Sequence, residues 1–323
     1  MKKLLITGGS GFIGKNLIEI IKDEKLNYDI INIDKKEDGN SNCIFIKCDI
    51  LDKENLNDCI NDVNPNYIIH LAAQTDCDAN LQLDDYKVNY DGSKNVFDIS
   101  SGLDSLDGLI HISTQFVNQS DFPLLDFYIF KPNLIYGESK MLSEKLLIEG
   151  DYDFNWVILR PTNVWGKWHP RYPSEFWKIL KDGKYFHPYK KGVIRSYGYV
   201  GNVCNQILFF LKNINKNSIN NQIFYVGDEP IELYEWVNKF SLKLKGKNVK
   251  IVPSFIIYIL ALFGSLIEKL NFTFPITISR YKNMTKSNPA PMKKTLKLLS
   301  EQKFSLDQGV DLTVRWLNEN KSD

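Results

Sequence analysis

Four glycines fall within seven residues, Gly8, Gly9, Gly11 and Gly14, where the apolar run Lys3–Ile6 gives way to the helical pattern Phe12–Lys22. No other stretch restricts the fold as much. A strand that must reverse into a helix over so few residues needs backbone freedom at Gly8, close approach to a ligand at Gly11 and close packing of the helix against the sheet at Gly14. The turn Thr7-Gly8-Gly9-Ser10-Gly11-Phe12-Ile13-Gly14 then points the free N–H groups of a helix start at whatever lies above it, and an anionic phosphate is the natural occupant. A glycine cluster alone is weak support for this, so its surroundings decide.

Twenty residues beyond Gly14, at the end of a second apolar run, stands Asp34. A carboxylate there accepts hydrogen bonds from both ribose hydroxyls of NAD and repels a 2′-phosphate, which favours NAD over NADP. Lys35 and Lys36 pull the other way if their side chains turn inward. Asp49 is placed to meet an adenine edge, and Leu71-Ala72-Ala73 is small enough for a dinucleotide to cross.

The rest of the first half alternates short apolar runs with helical patterns. Strands are predicted at Lys3–Ile6, Asp29–Ile33, Ile44–Ile46, Tyr67–His70, Gly108–Ile112 and Trp156–Leu159, with helices over Phe12–Lys22, Glu54–Asp62 and Tyr86–Ser100. That alternation specifies an α/β chain with a doubly wound parallel sheet. Residues 1–165 are expected to form the dinucleotide-binding domain. Residues 166–323, where the pattern loosens, are expected to form a smaller α/β domain that mainly binds substrate and is partly interleaved with the sheet, with one further strand at Ile223–Val226.

Charge sets limits on partners. Lys and Arg number 40 against 39 Asp and Glu, so no global field favours nucleic acid or an anionic membrane, and an anionic ligand must be held locally. Five cysteines without a CxxC pair suggest free thiols in a reducing cytoplasm, and four dispersed histidines lack metal-ligand spacing, so no metal is expected. The uncharged stretch Ile251–Ile267 is interrupted by Pro253, Ser254, Gly264 and Ser265. It is expected to be a buried helix of the second domain, with association at a membrane surface as the next reading.

Tyr136 and Lys140 lie four residues apart in Tyr136-Gly137-Glu138-Ser139-Lys140, on one face of a predicted helix. The ammonium can lower the phenol's pKa and bind a ribose, and the phenolate can then take a proton from an alcohol undergoing oxidation. Ser113-Thr114-Gln115, after the strand Gly108–Ile112, supplies a hydroxyl that could share the same substrate oxygen.

The glycine turn, Asp34, His70-Leu71-Ala72-Ala73, Val88-Asn89-Tyr90-Asp91-Gly92, Ser113-Thr114, Tyr136–Lys140 and Arg160-Pro161-Thr162-Asn163-Val164-Trp165-Gly166 occur in that order. In this the chain resembles the extended short-chain dehydrogenase/reductase family, in its nucleotide-sugar epimerase/dehydratase branch of the UDP-glucose 4-epimerase kind. The resemblance runs from Lys2 to about Val203. It implies a Rossmann fold and NAD held by Gly8, Gly11, Phe12, Ile13, Gly14, Asp34, Asp49, Ile50, Leu71, Ala72, Ala73, Asn89, Tyr136 and Lys140. It further implies Thr114, Tyr136 and Lys140 as catalytic residues, and Thr114, Gln115, Asn163 and Arg195 as contacts to a nucleotide-sugar substrate. A homodimer through the helices containing Tyr86–Ser100 and Tyr136–Ile148 would follow as well.

Two departures narrow the chemistry. Dehydratases of the family carry Asp-Glu after the catalytic threonine, whereas this chain has Gln115 and Phe116, and a phenyl ring cannot move a proton. The insertion before Tyr136 is rich in Phe122, Leu124, Leu125, Phe127, Tyr128 and Phe130, and is expected to pack a loop against the second domain. The leading expectation is an epimerase that oxidises a sugar hydroxyl and returns the hydride, with a role in polysaccharide biosynthesis. A 4-keto nucleotide-sugar reductase, a membrane-associated hydroxysteroid-type dehydrogenase and a non-catalytic NAD-binding scaffold remain open beside it.

Overall fold

The structure, a computed structural model, describes all residues except 40–41, 78–79, 119–125, 269–273, 300 and 321–323. The first half reads β1 (Lys2–Thr7), α1 (Phe12–Asp23), β2 (Tyr28–Asp34), β3 (Ile44–Lys47), α2 (Lys53–Val63), β4 (Tyr67–His70), α3 (Ser93–Ser100), β5 (Gly108–Ile112), α4 (Ile135–Glu149) and β6 (Trp156–Pro161). With the strand Gln222–Val226 these form a seven-stranded sheet in the order Gln222–Val226, β6, β5, β4, β1, β2, β3. Every pairing is parallel. Such a sheet is covered on both faces, which is why β5 and β6 are buried along their whole length.

Strand order reverses between β1 and β4, so the crevice above their carboxyl ends is the place where a doubly wound sheet receives its ligand. Thr7 and His70 are partners in register there. The core beneath is built by residues such as Leu5, Ile31, Ile68, Leu109 and Ile158.

The helical pattern Tyr86–Ser100 is not one regular helix. A 3₁₀ turn at Leu83–Tyr86 leads into a π turn at Val88–Gly92 and then α3. Gly92 lies against Ile50, whose Cδ1 would stand 2.7 Å from an added Cβ, so the wider turn forms where the backbone presses on its neighbour.

Chain contacts divide the molecule into two units. The first comprises Met1–Val164, Gly198–Asp228 and Pro291–Lys303; the second comprises Trp165–Tyr197, Glu229–Ala290 and Phe304–Asp323. Within the second, Ile194–Arg195 pairs antiparallel with Ile231–Glu232, and Phe186–Pro188 pairs parallel with Lys250–Val252. Its centre is aromatic: Trp236 stacks on Tyr197 at 4.0 Å and on Phe176 at 5.2 Å, and meets Phe240 at 5.0 Å.

One expectation is corrected. Ile251–Ile267 does contain a helix, Ser254–Glu268, yet only Ile257, Ala261 and Gly264 are buried on it. Phe255, Ile259, Phe263 and Leu266 are between 47% and 64% exposed, because the helix rests on its own unit through one narrow side. Among the described residues no helix is long and apolar enough to cross a membrane. The aromatic insertion, where described, packs on the strand Gln222–Val226 and on β6: Phe127 meets Tyr225 at 5.3 Å, and Phe130 lies under the Arg160 guanidinium. Phe122, Leu124 and Leu125 fall outside the described residues.

Candidate active site

The glycine turn is shaped by contacts that only glycine allows. Gly8 has φ +74°, and a Cβ there would lie 2.6 Å from the Ala72 amide nitrogen, so β1 and the turn after β4 touch backbone to backbone. A Cβ at Gly14 would lie 2.5 Å from Gly9 Cα. Gly14 therefore lets α1 close onto the turn itself, where the sequence suggested packing on the sheet. Gly11 is the N-cap of α1 and no side chain caps it, which leaves the positive end of the helix to the crevice.

Asn32, missed from the sequence, holds this turn. Its Oδ1 accepts from the Gly9 amide at 2.9 Å and its Nδ2 donates to Ser10 Oγ at 3.0 Å. It shares a face of β2 with Asp34, two residues on, and that spacing is the signal that could have found it. Asp34 accepts from the Ser10 amide at 3.1 Å and from the Lys36 amide at 3.3 Å. Lys35 reaches Asp49 at 3.5 Å. Asp49 also accepts from the Leu51 amide, while Ile50 is buried against Gly92 and receives Asn95 at its carbonyl. Phe12 and Ile13 open α1, and Leu71, Ala72 and Ala73 are half-buried at the end of β4.

These features fit a dinucleotide. The uncapped helix start suits a pyrophosphate, the Gly8–Ala72 approach removes side chains from its path, and Asp34 offers a carboxylate at the ribose position.

The catalytic candidates gather beside this crevice in the same unit. The loop after β5 continues as a short 3₁₀ turn, Gln115–Val117, whose N-cap Thr114 accepts from the Phe116 amide at 3.3 Å. That turn packs directly on the start of α4: the Phe116 carbonyl lies where a Cβ on Gly137 would have to be. The Phe116 ring meets Tyr136 edge-on at 6.3 Å, and Tyr86 meets it at 6.2 Å. Thr114, Gln115 and Tyr136 are all less than a tenth exposed. Among the described residues, Ser113 Oγ and Gln115 Nε2 are buried without a hydrogen-bond partner.

Helix α4 buries a polar stripe. Tyr136, Ser139, Lys140, Ser143 and Glu144 recur at helical spacing and are all buried. Asn89 explains part of this, because its Nδ2 donates to Ser139 Oγ at 2.9 Å while its Oδ1 accepts from the Gln74 amide at 2.7 Å. Ser139 in turn donates to the Tyr136 carbonyl at 2.8 Å. Asn89 thus ties the loop after β4 to the helix carrying the tyrosine.

Behind the stripe lie two histidines that the sequence suggested were scattered. His70 and His111 are register partners at the ends of β4 and β5, and their rings stack at 5.3 Å. His70 bridges Thr7 Oγ1 at 2.6 Å and Ser93 Oγ at 2.8 Å. His111 Nε2 meets Ser143 Oγ at 3.0 Å, while its Nδ1 is buried without a partner among the described residues. Burial and the neighbouring Lys140 charge hold His70 down to about 3 and His111 well below the usual imidazole range, so both rings are neutral.

Burial also pushes the Lys140 ammonium down to about 7, against the opposing pull of Glu144. Glu144 is engaged by Arg160 through Nε at 2.9 Å and Nη2 at 2.6 Å, with both side chains fully buried. Arg160 further donates to Tyr225 Oη and the Phe127 carbonyl. Burial works against the guanidinium charge, and Glu144 more than restores it.

Of the two residues expected to grip substrate phosphates, Asn163 lies on the strand Asn163–Trp165 just after β6. Arg195 belongs to the second unit, where it donates to the Lys286 carbonyl at 3.2 Å and keeps a buried Nε without a partner among the described residues.

Residues 4–227 match the model of the NAD dependent epimerase/dehydratase family. A protein of Methanocaldococcus jannaschii provisionally named a UDP-glucose 4-epimerase is 30% identical over 176 residues, 51% of this chain and 56% of that protein. The matched part thus spans little more than half the length of that relative. The human sterol-4-alpha-carboxylate 3-dehydrogenase (decarboxylating) is 24% identical over 76% of this chain and 67% of its own. Among solved structures, the UDP-glucose 4-epimerase of Thermotoga maritima with UDP-glucose superimposes with a TM-score of 0.74 at 22% identity, covering 99% of this chain and 100% of its own. The UDP-glucuronic acid 4-epimerase of Bacillus cereus, in complex with UDP-glucuronic acid and NAD, gives 0.72 at 20%, covering 98% and 99%. At that identity the structures establish the fold, and the family match establishes the rest: the chain belongs to the NAD dependent epimerase/dehydratase family, enzymes of the extended short-chain dehydrogenase/reductase type whose cofactor is NAD.

Proposed function

We propose that the protein epimerises a nucleotide-linked sugar by transient oxidation of one ring hydroxyl. The observation that carries this reading is the packing of the Thr114–Phe116 turn onto the first turn of α4, the helix on which Tyr136 and the buried Lys140 lie one turn apart. NAD, when bound, supplies the hydride acceptor and donor. Tyr136 takes the proton from the sugar hydroxyl and returns it at the end, and Thr114 donates to the same oxygen to fix its direction. Lys140 stabilises the phenolate through its charge and binds ribose hydroxyls. Asn89 keeps α4 in place through Ser139.

Phe116 supports epimerisation over dehydration. Elimination of water needs an acid and a base beside the reacting carbons, and the ring packed against Tyr136 provides neither. Gln115 Nε2 and Ser113 Oγ are the donors for neighbouring sugar hydroxyls. The substrate-binding role falls mainly to residues 166–323, with Asn163 and Arg195 taking the phosphates, where a guanidinium fork suits oxyanions. The nucleotide-sugar class is supported by the names of the relatives above.

The test is to purify the protein without added cofactor, denature it, and assay the supernatant for NAD, while a second sample is incubated with UDP-, GDP- and dTDP-sugars. Retained NAD with interconversion of two isomers and no net absorbance change at the nicotinamide band is the expected result. Consumption of added NADH by a keto sugar alone would replace this reading with a reductase.

A further inference from the structure

We infer that the helix Ser254–Glu268 is a docking surface for the headgroup region of an anionic lipid bilayer. The helix has no charged residue before Glu268 at its end. At 100° per residue, Phe255, Ile259, Phe263 and Leu266 fall along one crest, and the exposed apolar arc reaches to Leu260 and Tyr258 on either side. This arc takes in more than half of the circumference. The opposite side is fixed: the Ile276 carbonyl occupies the space a Cβ on Gly264 would need, and Ser265 Oγ accepts from the Ile278 amide at 2.9 Å. The apolar face cannot be turned inward without breaking those contacts, and contiguous exposed surface of this kind marks an interaction site.

Charge around the helix selects the occupant. Ser254 donates to the Tyr189 carbonyl at 2.8 Å, which sets exposed Lys190 and Lys191 beside the start of the helix, and Lys250 is exposed four residues before it. Tyr258 packs on Tyr281 at 5.3 Å, and exposed Arg280 and Lys282 flank that tyrosine. An apolar crest bordered by five cations matches anionic headgroups over an acyl layer. A second copy docked by two-fold symmetry would oppose these cations to their own counterparts. Fifteen residues span about 22 Å, shorter than the roughly 30 Å hydrocarbon core, so the helix lies along the surface.

The test uses the full chain and vesicles of phosphatidylcholine with and without phosphatidylglycerol, read by co-sedimentation, and it does not depend on the sugar chemistry. The expected result is binding to the phosphatidylglycerol vesicles and loss of it in the double variant Phe255→Glu/Phe263→Glu. Removing two cations with Lys190→Ala/Lys191→Ala should weaken binding about 30-fold, two charges at about 1 kcal/mol each. That pair sits on an exposed loop and carries the test if the glutamates impair folding. Absence of wild-type binding, or binding unchanged in both variants, overturns the proposal. So does a lipid-free dimer, seen by light scattering, that the glutamate variant turns into a monomer, since it would assign the face to a second copy.

Discussion

Helix α4 and the helix Ser254–Glu268 invert the usual amphipathic rule in opposite senses. The first turns Tyr136, Ser139, Lys140, Ser143 and Glu144 inward; the second turns Phe255, Ile259, Phe263 and Leu266 outward. Each departure has a different physical support. Polar groups survive inside because most find partners in Asn89, His111 and Arg160, and an unmatched one would cost about 1–3 kcal/mol. Apolar groups survive outside because nothing in folding penalises them individually, and only solubility or a partner gives them consequence. Violations of local rules of this kind concentrate where a molecule does something other than fold.

The comparison can be broken from several directions. Tyr136→Phe should lower turnover by about 10²- to 10⁴-fold with an unchanged unfolding midpoint, since in the proposed reaction the hydroxyl moves a proton while the substitution leaves the packed ring in place; steady-state rates and a thermal melt together decide it. Arg160→Met should destabilise by about 3–5 kcal/mol by leaving the Glu144 carboxylate buried without the guanidinium that hydrogen-bonds it. Adding Glu144→Leu should recover most of that loss in urea unfolding, and failure to recover would mean that the guanidinium acts chiefly through Tyr225 and Phe127.

Asn89→Ala should cost about 1–3 kcal/mol, read by chemical denaturation, because Ser139 and the Gln74 backbone both lose their partner. A pH series sharpens the same contrast. Lys140 falls to about 7 in the folded chain from the ordinary lysine value of 10.5, so between those values the unfolded chain binds more protons and stability must rise with pH. Lys140→Met should flatten that rise, a result calorimetry across pH 7–10.5 would reveal. Smallest of all, Phe263→Glu on the outward-facing helix should change stability by no more than about 0.5 kcal/mol in the absence of lipid, because the side chain is already 60% exposed.

How much of this was readable beforehand follows the chemistry of the residues. The glycine turn and Asp34 were legible because backbone geometry leaves few alternatives at Gly8, and the sheet was legible because buried parallel strands write themselves as apolar runs. Asn32, Ser139 and Ser143 were not, since a small polar residue reads as solvent-facing until its tertiary partner is known. The His70–His111 stack required the register of β4 and β5, which no local pattern carries. The π turn at Val88–Gly92 looks like ordinary helix in sequence, and the exposure of Ser254–Glu268 was concealed because apolar composition reports affinity for a nonpolar phase without saying which one.

The first unit is finished late. Strand β6 pairs with β5 on one side and with Gln222–Val226 on the other, and that last strand is covered in turn by Thr295, which donates to the Tyr225 carbonyl at 2.6 Å. A nascent chain emerging from the ribosome therefore presents the glycine turn, Tyr136 and Lys140 while β6 still has an unsatisfied edge. At ordinary synthesis rates the intervening stretch takes roughly 3–12 s to appear. For that interval the growing polypeptide holds an open template for strand addition, and its safe passage depends on chaperone cover or on how quickly Gln222–Val226 clears the exit tunnel and pairs with β6.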